Sequence, residues 1–162
     1  SYAIALGARD AARFPALVLV GPTGLTRLNT PSPTGGSIAR SIVEAPLLGT
    51  TLWNMLVSTP SVRRFLKMSY ANKALVTDEF VEAHWQTAHQ PGAKHAPASF
   101  VGHLLDLDAR EHFHRLTQPT FILWGEQAAA APVDEIRPFM ATRPDFDYVI
   151  LDPAGDLVHD ER

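Results

Sequence analysis

Four side chains near the ends of this chain are of types and spacings suited to acyl or proton transfer. The segment "YVILDPAGDLVHDER" puts Asp156 just after an Ala-Gly turn and His159 three residues later. "TFILWGEQAAAAP" puts Glu126 directly after a Trp-Gly pair, and Ser1 opens the alanine-rich stretch "SYAIALGARDAARF". A hydroxyl, an imidazole and a carboxylate in series would supply a nucleophile, a general base and the group that orients the base. Each residue also has a plainer reading. Asp156 suits an Asx-type turn capping a following helix, His159 the first turn of that helix, and Glu126 a turn without chemistry.

Other chemistries find little support. His112 and His114 in "EHFHR" are two apart and fall on different helix faces, His84 and His89 are five apart, and His95 and His103 are isolated. No metal is therefore expected. The chain has no cysteine, which removes disulfides, thiolate catalysis and zinc–thiolate sites and is compatible with a reducing, cytoplasmic setting. With 14 basic and 17 acidic residues the formal charge is −3, so no basic stripe invites a phosphate backbone and no nucleic-acid partner is expected. No apolar run nears the roughly 20 residues that span a bilayer. No glycine-rich phosphate loop is present, and no cofactor is expected.

The elements that would position these residues follow from three short apolar runs. "ALVLVG" (16–21), "TFILWG" (120–125) and "DYVILD" (147–152) are strand-length, rich in β-branched or large residues, and end in turn signals. Continuous rather than alternating apolarity predicts strands covered on both faces, as in a parallel sheet. "APVDEIRPFMATRP" between the last two is about the length of a crossover helix. Almost a hundred residues separate the first two. They open with the loop "PTGLTRLNTPSPTGG" and then take helical spacing, with Pro60 in the first turn of one helix and Thr77 capping another. The fold class is α/β. A core is expected over 1–29 and 117–162, with a helical insert over 30–116.

This layout resembles the α/β-hydrolase fold. "ARFPALVLVGPTGL" is similar to the helix after the nucleophile elbow running into the sixth strand. "PTFILWGEQAAAAP" resembles the seventh strand and the loop that presents the acid. "YVILDPAGDLVHDER" resembles the eighth strand and its histidine loop. The resemblance implies the last three strands of a parallel sheet with an inserted all-helical lid. It implies a Ser-His-Asp hydrolase of the esterase, lipase or C–C hydrolase kind, acting on a small carbonyl or ester substrate. Trp53 and Trp85 in the lid, and Leu157 beside Asp156, would line its acyl pocket, although ordinary helix packing also accounts for tryptophans in such an insert.

Two of the implied catalytic positions depart from the pattern. Asp156 stands where the histidine is expected, and Ala128 where the acid is expected. Aspartate, with a pKa of about 4, is a far weaker base than imidazole at neutral pH. His159 and Glu126 are the nearest substitutes. A count back from the first strand puts the serine a few residues before Ser1, whereas a count back from Pro15 puts it on Ser1. The chain begins without methionine and ends in "HDER", which reads like a first helical turn, so both ends are expected to be cuts. The first strand would then leave an apolar edge that pairs with a missing amino-terminal part of the same fold or with a second copy. A non-catalytic binding protein of the same fold is the alternative function.

Overall fold

In the computed structural model the described residues are 1–25, 48–101 and 106–162, with residues 41, 43 and 45 between them. The loop expected over residues 22–36 lies mostly outside them. The chain forms two compact units. One comprises Ser1–Leu28, Ser69–Lys73 and Leu107–Arg162; the other comprises Asn29–Met68 and Ala74–Asp106. Residues 69–73 and 107–116, expected in the helical insert, thus belong to the unit that holds the sheet.

In that first unit the three apolar runs form β1 (Leu17–Val20), β2 (Thr120–Gly125) and β3 (Asp147–Leu151). They make one parallel sheet in the order β1-β2-β3. Leu19 pairs with Ile122, and Trp124 with Ile150. Helices α1 (Tyr2–Arg9), α6 (Arg110–His114), α7 (Val133–Thr142) and α8 (Val158–Glu161) belong to the same unit.

Side chains alternate across a strand, and here the two faces differ. Leu19, Ile122 and Trp124 are buried in one cluster with Ile4 of α1, Phe113 of α6 and Ile136 of α7, and Tyr148 and Ile150 pack against it. Gly7 of α1 allows the close approach, since a Cβ there would meet side-chain atoms of Leu17 and Gln118. The opposite face carries Val18, which is 69% exposed, together with Val20 and Val149. Cover on both faces, expected from the unbroken apolar runs, is therefore found on one face among the described residues.

Polar groups pin this core at its far end. The Arg143 guanidinium donates to the carbonyls of Phe113 and Leu116 at 2.8 and 3.0 Å. It also pairs with the Asp145 carboxylate and lies 3.7 Å over the Phe146 ring. Arg143 holds the Asp145 carboxyl below its ordinary range. Trp124 Nε1 donates to the Ala131 carbonyl at 2.8 Å, which closes the turn after β2.

The second unit contains α2 (Leu48–Leu56), α3 (Thr59–Ser69, whose last residue joins the first unit), a 3-10 turn (Lys73–Leu75, at the same boundary), α4 (Asp78–Ala88) and α5 (His95–Val101). As the sequence suggested, Pro60 lies in the first turn of α3 and Thr77 caps α4, its hydroxyl accepting from the Phe80 amide at 3.2 Å.

One buried side-chain group is unmatched among the described residues. The Tyr148 hydroxyl is buried without a hydrogen-bond partner among the described residues, and burial pushes its pKa up to about 12. Tyr148→Phe should raise stability by about 1 kcal/mol at neutral pH, measured by urea unfolding, because an unpaired buried hydroxyl is lost. Above pH 10 the unfolded phenol ionises while the native one stays protonated, so native stability falls with rising pH. The advantage of the Phe variant should therefore widen between pH 10 and 12.

Candidate functional site

The carboxyl ends of β2 and β3 lead into two loops that touch backbone to backbone. A Cβ at Gly125 would run into the carbonyl oxygens of Gly155 and Ala154. A Cβ at Gly155 would run into the Ser69 carbonyl oxygen and lie 2.9 Å from the Ala71 nitrogen. Glycine is required at both places because the chains leave no room for a side chain. The turn after β1 lies beside them, and a Cβ at Gly21 would stand 3.6 Å from the Asp156 carbonyl oxygen. Gly24, with φ of +83°, packs against the Leu107 carbonyl and the Ser1 Cβ. Ser1, at the start of α1, therefore borders the turn after β1.

Side chains lock this junction. The Asp156 amide donates to the Ser69 carbonyl at 2.8 Å, and its Oδ1 accepts from the Ala130 amide at 2.9 Å. Gln127 reaches the β3 loop through three bonds. Its Nε2 donates to Asp152 Oδ1 at 2.6 Å, its Oε1 accepts from the Ala154 amide at 2.8 Å, and its own amide donates to the Ala154 carbonyl at 2.9 Å. Glu161 of α8 accepts from three backbone amides: Gly155 at 2.6 Å, Asn72 at 2.9 Å and Ala71 at 3.2 Å. The buried Tyr70 hydroxyl donates to Asp160. Burial, and then that bond, raise the Tyr70 pKa.

The sequence-derived candidates fare unequally in this geometry. Asp156 is at the junction, but its carboxylate spans to the β2 loop. The helix it was expected to cap, α8, has Leu157 at its N-cap and no side-chain cap. Leu157 is half-buried beside it. His159 is exposed on α8 and makes no hydrogen bond to Asp156 or Glu126. Glu126 is ion-paired at 3.8 Å with Arg137. Ala128 is buried in the core cluster, a methyl group at the position where the acid was expected. Among the described residues, no hydroxyl, imidazole and carboxylate are hydrogen-bonded in series. No group of three His, Cys, Asp or Glu among them could hold a metal.

Trp53 and Trp85 lie in the helical unit. Trp53 Nε1 donates to the Ala88 carbonyl at 2.8 Å, and the Trp85 ring tilts over His89 with centroids 4.1 Å apart. A concavity of about 650 Å³ within that unit is lined by Trp53, His84, Thr87 and Pro97 among others, and Trp85 is not part of its lining.

Gln127, Glu161 and Tyr70 escaped the sequence reading. Glu161 was visible there only as one of the acidic residues in a first helical turn, since two of its three partners are backbone amides 89 and 90 residues away.

Solved structures match this arrangement over nearly the whole chain. A mutant of the meta-cleavage product hydrolase CumD superposes with a TM-score of 0.66 at 20% identity, covering 95% of this chain and 53% of that one. An esterase from Thermogutta terrifontis, with malate bound, gives 0.63 at 18%, covering 100% and 58%. A bromoperoxidase from Bacillus anthracis gives 0.62 at 15%, covering 95% and 57%. The chain thus has the α/β-hydrolase fold and spans little more than half the length of these neighbours. No protein-family model matches it.

Glu161→Ala leaves three backbone amides without their acceptor. It should lower stability by about 2 kcal/mol, given the cost of orphaned partly buried donors, measured as a shift of the urea midpoint. Glu161→Gln, which keeps an acceptor oxygen, should recover part of the loss.

Proposed function

We propose that the protein is a hydrolase of the α/β-hydrolase type, esterase-like, acting on a small uncharged ester or other carbonyl compound. The observation that carries this reading is the convergence of three loops at the carboxyl ends of parallel strands, in a chain whose structural neighbours include esterases and a C–C bond hydrolase. That edge is where α/β sheets present their chemistry. The nucleophile would come from the part of the fold that these residues do not span, or from Ser1 beside the turn after β1. The helical unit would correspond to the lid that such folds insert after this strand, with Trp53 contributing to an acyl pocket.

Asp156 favours a second reading. Its carboxylate is held by a backbone amide, and the acid's expected place is filled by the buried Ala128. A protein that keeps the pocket for binding, without turnover, fits both facts. Hydrolysis of p-nitrophenyl acetate by the full-length protein, which includes the part of the fold upstream of Ser1, separates the two. The hydrolase reading expects turnover that survives Asp156→Ala and rises in Asp156→His. Absence of turnover in all three proteins would support the binder.

The open side of β1 bears on partners. In a parallel pair, alternate residues bond to one neighbour. The amides of Leu17 and Gly21 donate toward β2, so the backbone of Val18 and Val20 faces away from it. We propose that this edge pairs with another strand, either from the rest of the same fold or from a second copy. The 162-residue chain alone should self-associate on size-exclusion with light scattering, and Val18→Lys should shift it toward monomer. A wild-type chain that stays monomeric at all concentrations would contradict the pairing. The lack of cysteine supports a cytoplasmic location, and no described helix is long and apolar enough to cross a membrane.

A further inference from the structure

Within the sheet unit, α1 and α6 form a hollow from residues that the hydrolase reading does not use. Each helix buries one side in the core, α1 through Ile4 and Gly7, α6 through Phe113. Gly7 lets α1 lie close, since a Cβ there would stand 3.2 Å from the Leu116 side chain just after α6. The outer side of α1 carries Tyr2, Leu6 and Arg9, whose spacing of i, i+4 and i+7 makes one stripe. All three are exposed, Tyr2 by 54% and Leu6 by 51%. From α6 and its C-cap come the half-buried His112 and, three residues on, Arg115. These five side chains, with alanines between them, line a space of about 390 Å³. That is within the size range of small-ligand sites.

The charge in this hollow is one-sided, and it stays so when partners are counted. No carboxylate among the described residues lines it. The Arg9 guanidinium and the His112 imidazole make no hydrogen bond or ion pair with any described residue. Arg115 has one ionic partner, Glu111 at 3.7 Å, which is longer than a hydrogen bond. Asp108, whose charge reaches His112, is itself held by the amide and guanidinium of Arg110 at 2.6 to 3.0 Å. In a chain with a formal charge of −3, cations gathered in a hollow without anions run against the average surface.

A guanidinium presents a planar fork of donors that matches the two oxygens of a carboxylate, and an imidazole N–H adds a further donor. The Tyr2 ring and Leu6 supply apolar area that a bare inorganic anion would leave uncovered, so the lining suits a charge carried on an organic body. We propose that the hollow binds a small organic acid, with its carboxylate on Arg9 and His112 and its apolar or aromatic body against Tyr2 and Leu6. None of the lining residues belongs to the junction at Gly125 and Gly155, and the proposal does not depend on the hydrolase reading.

Titration of the full-length protein with benzoate, followed by NMR at the amides of Leu6, Arg9 and His112, tests it. The comparison probes are benzamide, which keeps the shape without the charge, and inorganic phosphate, which keeps a charge without the ring. Benzoate should bind at least about tenfold more tightly than either, as expected when a charged hydrogen bond or the apolar contact is lost. Arg9→Ala should weaken benzoate binding at least about tenfold. Arg9→Lys, which keeps the charge and loses the fork, should recover part of it. Leu6→Ser should weaken benzoate binding and leave phosphate unchanged. Arg9 and Leu6 are exposed, so circular dichroism should report an unchanged fold. Three results would each overturn the proposal: no shift at these amides, benzamide or phosphate binding as tightly as benzoate, or benzoate binding that Arg9→Ala leaves intact.

Discussion

Backbone-on-backbone contact at Gly125 and Gly155 is the constraint from which the rest of the sheet unit follows. The loop after β2, the loop after β3 and the segment 69–73 come so close that neither glycine could carry even a methyl group. Chains packed this tightly must satisfy their polar groups locally, because water cannot reach all of them. Gln127, Asp156 and Glu161 do so, each by bonding main-chain groups on a different segment. Asp156, the residue at this edge that looks most chemical, is therefore also one of the groups that hold it together.

That dual character explains what could and could not be read from the sequence. The three strands were legible as apolar runs because a parallel sheet needs no alternation, and their bounds shift by a residue or less. The α3 and α4 starts were legible from Pro60 and Thr77, whose effects are local. The boundary of the helical insert was not. Residues 69–73 join the sheet unit through Asp156, Tyr70 and Glu161, contacts that close over nearly 90 residues and leave no periodic trace. Arg143 is similar, since its carbonyl partners lie on α6 and just after it, 30 and 27 residues earlier.

The candidate site was legible in place and only partly in role. Asp156 and Glu126 were found because they follow strands, and loops at carboxyl ends carry chemistry. The direction of the Asp156 carboxylate, toward Ala130 and away from α8, depends on a neighbouring loop whose run of alanines gives no hint of a donor. Ala128 illustrates the reverse case. Its identity alone excluded an acid there, and its burial shows that the position now belongs to the core.

Whether Asp156 is a structural tie is the claim on which the functional reading turns most directly. Amide hydrogen exchange at Ala130, followed by NMR in the wild type and in Asp156→Ala, measures it. The bond predicts slow exchange that quickens markedly in the variant, with little change at the Leu123 amide inside β2. Exchange at Ala130 that is fast in the wild type, or identical in both proteins, would contradict the account.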